Sequence, residues 1–144
     1  MIATYQDIRG IIEQRLADAL LAAGLPAGRV IYDNVQETPP PVPSAMIAVS
    51  FTRSILDAIG CQGGESIAGT AQINLYLPKG TGSRAGESYG LALIDELSSW
   101  NGALRLPDAV TVRSIGIDGP RWIAADDRPY RVMVVAAGFS AAVP

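Results

Sequence analysis

Twelve residues, Ser66 to Leu77, alternate along the chain, and that run limits the fold more than any other feature. Ile67, Ala71, Ile73, Leu75 and Leu77 fall on one side, and Thr70, Gln72, Asn74 and Tyr76 on the other. A period of two is the signature of a strand with one face buried. Half-buried strands belong to antiparallel sheets, because parallel strands are covered on both faces. Ala45 to Ser54 repeats the pattern, with Ile47, Val49 and Phe51 opposed to Ser50 and Thr52. Val30 to Tyr32 predicts a short strand, Ala109 to Ile117 a longer one, and Trp122 lies in another short one. Tyr130 to Phe139 is apolar on both faces and predicts a central strand.

Two stretches have the helical period instead. Ile8, Ile11, Ile12, Leu16, Leu20 and Ala23 share one face of a helix from Thr4 to Ala23. Thr4 with Asp7 three residues on forms a capping box, and Gly24 and Pro26 end the helix. Ser83 to Trp100 predicts a second helix, with Ala85, Tyr89, Leu93, Leu97 and Trp100 on one face and Asn101-Gly102 as its stop. The order is α-β-β-β-α-β-β-β. The expected fold is α+β: a mostly antiparallel, mixed sheet with two helices packed on one face.

Residues 1–144 form a single domain in this reading. With 49% hydrophobic and 17% charged residues, the chain can bury a substantial core. Asp33 to Ser44 holds Pro39, Pro40, Pro41 and Pro43, which predicts an extended connector over 36–44. Gly60, Gly63 and Gly64 predict a flexible hairpin loop over 54–66. Its aliphatic members, Ile55, Leu56 and Ile59, are unusual for a solvated loop and are candidate interface residues.

The chemistry of the side chains excludes more than it identifies. There is no histidine, which removes Ser-His, Cys-His and His-metal mechanisms within this chain. Cys61 is the single cysteine, so the chain has no internal disulfide and no cysteine-rich metal site. A net charge of −3 is a poor basis for general nucleic-acid binding. Gly86-Glu87-Ser88-Tyr89-Gly90 matches the nucleophile-elbow pattern, but it falls inside the second helix and has no histidine base. Gly80-Thr81-Gly82-Ser83-Arg84-Ala85 matches a relaxed dinucleotide pattern, yet the strand before it has antiparallel character. Asp126 and Asp127 fit a turn, and Asp95 and Glu96 sit side by side on a helix, so neither pair suits acid-base work. No catalytic residue, cofactor or metal is expected. The first nine residues lack the apolar core of a secretory signal, and the longest apolar run, Val132 to Phe139, is far short of the roughly 20 residues of a membrane span.

The assembled pattern resembles the tail-terminator proteins of long-tailed bacteriophages, the minor tail protein U type. The similarity rests on pieces in order along nearly the whole chain. They are the helix Ile8-Arg9-Gly10-Ile11-Ile12-Glu13-Gln14-Arg15-Leu16, then Val30-Ile31-Tyr32-Asp33-Asn34-Val35, the proline segment and the strand Met46 to Phe51. Next come Gly69 to Gly82, a helix with Ala85, Leu91 and Leu97, and a strand pair around Trp122 and Tyr130 to Ala137. The resemblance implies a structural virion protein, assembled in the host cytoplasm and not an enzyme. Such a protein forms a hexameric homo-oligomer on the tail tube protein, stops tube growth and receives the head-tail connector. DNA passes through the lumen without specific binding, and no membrane is involved. A neighbouring head-tail joining or head-closure protein is the alternative assembly part, and a nucleotide-binding module on the 80–85 turn is the alternative outside phage assembly.

Overall fold

The computed structural model describes residues 5–32, 43–57, 64–79, 84–100, 104–105, 111–123 and 130–143. Helix α1 spans Tyr5–Ala22, and its i, i+4 series Ile8, Ile12, Leu16 and Leu20 is wholly buried. Fully burying a side chain of this size contributes about 1.5–3 kcal/mol. The helix ends as its glycine predicts. Gly24 takes a φ of 107°, and the Leu25 amide reaches back to the Leu20 carbonyl at 3.1 Å, while Leu25 itself is buried against the core.

Strands β1 (Val30–Tyr32), β2 (Ser44–Asp57) and β3 (Gly64–Pro78) follow, then helix α2 (Arg84–Ser99) and strands β4 (Leu104–Arg105), β5 (Thr111–Trp122) and β6 (Tyr130–Val143). They form one sheet in the order β1-β2-β3-β6-β5-β4. The β1–β2 pair is parallel and the other four pairs are antiparallel. The fold is therefore the expected α+β arrangement in the expected element order.

The period of two sorts the strands into faces. Ala45, Ile47 and Val49 of β2, then Ile67, Ala71, Ile73, Leu75 and Leu77 of β3, are buried together with Met133, Val135, Ala137, Phe139 and Ala141 of β6. Both helices pack against this side and supply the rest of one continuous core, with Leu93, Leu97 and Trp100 from α2. Arg15 Nε lies 3.1 Å from Glu96 Oε1, joining α1 to α2. The buried Ser114 hydroxyl donates to the Leu97 carbonyl at 2.7 Å, tying the end of α2 to β5.

Three expectations change. The 109–117 strand and the separate Trp122 strand are one strand, β5, interrupted by register shifts between Ile115 and Ile117 and between Asp118 and Arg121. Gly116 at the first shift has a φ of 63°, a conformation other residues rarely adopt. The sequence reading missed β4, whose two residues are too few to show a period. The hairpin loop expected over 54–66 is shorter. Residues 54–57 and 64–66 continue β2 and β3 as a paired arm, with Asp57 opposite Gly64, and Glu65 also pairs with Val143 of β6. Residues 58–63 and most of the 36–44 connector lie outside the described residues, although Ser44 already opens β2.

Candidate functional site

The motifs with a chemical look resolve into packing. Gly86 and Gly90 face the sheet one turn apart. A methyl group at Gly90 would lie 2.7 Å from Pro120 Cβ and 3.1 Å from the Met133 sulfur, and one at Gly86 would fall among Leu77 and Trp122. These glycines let α2 sit close on the sheet, and Ser88 between them is exposed on a helix rather than held on a strained elbow. The strand before the 80–85 turn, β3, is antiparallel to both neighbours, so the parallel unit a dinucleotide site requires is missing there. Glu96 is occupied structurally, bonded to Arg15 and accepting from the Trp100 indole at 3.2 Å, while Asp95 is exposed. Asp126, Asp127 and Cys61 lie outside the described residues.

Among the described residues no three His, Cys, Asp or Glu side chains gather as a metal site, and no helix is long and apolar enough to cross a membrane. Burial, reinforced by the charges of Glu13 and Asp18, pushes the Tyr32 phenol above its ordinary value.

What remains is surface. The side of the sheet away from the helices carries Ser50, Thr70, Gln72, Asn74 and Tyr76, with Ala136, Gly138 and Ser140 on β6. No described element covers it. Its polar groups bond to one another: Ser50 to Thr70 across the strands at 3.0 Å, and Gln72 Nε2 to Asn74 Oδ1 at 3.0 Å. Tyr76 and Tyr130 meet edge to face at 5.3 Å, and beside them Val132 and Val134 are buried although they point away from the helices. The doubly apolar pattern of β6 thus corresponds to burial on both sides at Val132 and Val134, in a strand that lies between β3 and β5.

The candidate interface residues divide. Ile55 and Leu56 belong to β2, paired with Ser66 and Glu65 on the arm, while Ile59 lies outside the described residues. Two other apolar residues stand out that the sequence did not mark as interface candidates, Leu91 at 56% exposure and Ile115 at 58%. Leu91 lies off the apolar face of its helix, a signal present in the sequence. Ile115 is sent outward by the Gly116 bulge, while Ile117 beyond it packs against the core. Simple alternation would have placed both on one side.

No protein-family model matches the chain, and no curated protein matches it either. A solved structure whose name states no function is similar at 26% identity. It covers 96% of this chain and 96% of its own, with a TM-score of 0.62. This likeness spans the whole domain and supports the fold.

Proposed function

We propose that the chain is a tail-terminator protein of a long-tailed bacteriophage, a structural virion component without catalytic activity. In this reading it forms a hexameric ring on the last ring of the tail tube, ends polymerisation and presents a surface to the head connector. The observation that carries the reading is the sheet itself. Strands of 14, 15 and 14 residues run side by side, and one face of them is uncovered by any described element. Such a face suits assembly better than catalysis. The element order agrees with the resemblance in the sequence, and a net charge of −3 suits a channel through which DNA must slide.

Capping follows from heterologous contacts, with the same two patches used by every subunit around the ring. The β2–β3 arm, with Ile55 and Leu56 on it, is assigned to the tube together with Ile59 of the same sequence segment. Light scattering across a concentration series is expected to show a mass near six times 15.1 kDa. Changing Ile55, Leu56 and Ile59 together to Ser is expected to give overlong tails in negative-stain images. Tails of normal length joined to heads would overturn the assignment of the arm, and headless tails of normal length would point to a joining protein.

A further inference from the structure

The two most exposed large apolar side chains among the described residues lie on opposite outer sides of the subunit. Ile115 stands on the uncovered side of the sheet, beside Gly138 of β6, which leaves a shallow seat next to it. Leu91 stands on the outer stripe of α2, one turn from Glu87 and one turn from Asp95, all exposed. We propose that these two patches bind each other between copies, α2 of one subunit lying across the open sheet face of the next with Leu91 against Ile115. The inference rests on the ring reading and names the surfaces that build the ring.

Three physical points support a second copy as the occupant. Patches on opposite sides of one molecule join head to tail, the arrangement that closes a ring when the rotation between copies closes and builds a filament when it does not, whereas a two-fold dimer uses one patch twice. The charges also match. Arg113 lies two strand positions from Ile115, about 6.8 Å, and Asp95 lies one helical turn from Leu91, about 6 Å, so both contacts form in one pose. Asp118 has Arg121 3.8 Å away, so Glu87 meets an ion pair and not a lone carboxylate. Finally, the polar groups of the open face are bonded among themselves, which lowers the cost of removing water from them. Four strands about 4.8 Å apart and roughly ten residues long outline an area on the order of 600 Å², near the ~800 Å² per partner of a standard interface. One helix covers less than this outline, so a single contact is weak and a closed ring, with two per subunit, is favoured.

The test is cross-linking in a Cys61→Ser background. Leu91→Cys protein mixed with Ile115→Cys protein is expected to oxidise to a covalent dimer, while neither oxidises alone. A chain carrying both changes is expected to give a ladder ending at six. In the native background, Leu91→Asp is expected to weaken self-association at least tenfold without altering the circular dichroism of the monomer. Cross-linking of either single-cysteine protein with itself would overturn the proposal. So would the lack of a mixed dimer, whether the protein is hexameric or monomeric by light scattering; a hexamer without it leaves the ring reading standing on other surfaces. A mixed dimer with a ladder running past six would keep the contact and defeat the ring reading.

Discussion

The two faces of the sheet are made by the same strands and have little else in common. On the helix side Ile73 is wholly buried among Ile, Leu and aromatic neighbours. One residue earlier, on the other side, Gln72 is exposed and bonded to Asn74. The difference teaches where the folding free energy resides. The covered face removes apolar surface from water and holds the helices; apart from the buried Val132 and Val134, the open face contributes little to the monomer and is free to be shaped by a partner.

That contrast can be broken by substitution. Ile73→Ala is expected to cost about 2–5 kcal/mol in urea denaturation, the range for deleting a buried aliphatic side chain. Gly90→Ala comes next. The added methyl has no room between Pro120 and Met133, so a loss of about 1–3 kcal/mol is expected from overpacking. Gln72→Ala is expected to stay within about 0.5 kcal/mol, as surface changes do. A Gln72→Ala loss as large as that of Ile73→Ala would mean that the open face is covered in the free protein, and the contrast would fall.

Much of this face assignment was legible in the sequence. The alternation of Ser66 to Leu77 named the buried residues of β3, and the helical period named Ile8, Ile12, Leu16 and Leu20 of α1. Both signals arise from a single regular element against a single core. The failures have a different origin. The arm at 54–57 and 64–66 has glycine-rich neighbours and reads locally as a loop, but Glu65 and Ser66 gain a second partner in β6, a pairing distant in sequence. Residues Asp118-Gly119-Pro120 fall between the two strands expected at 109–117 and around Trp122, whereas they form the second register shift inside a continuous strand. The outer residues were harder still. Nothing in a period distinguishes an apolar side chain kept for a partner from one left exposed, and Ile115 is displaced from its period by a neighbour's backbone.

The two shifts in β5 behave like a pair of compensating frameshifts. Each adds one residue against β6, so the first reverses the reading frame of the strand and the second restores it, returning Trp122 to the side of Val112 and Ser114. Loss of the extra residue at either shift would remove that shift and leave Ile117 and Trp122 on the sides they now occupy, because every remaining β5 residue keeps its partner on β6. Loss of one residue from each shift would shorten the strand by two and keep the frame of both its ends. One-residue length variation is therefore expected at the two shifts, where it leaves the core frame unchanged, and not within the regularly paired stretches, where it would turn core side chains to the outer surface.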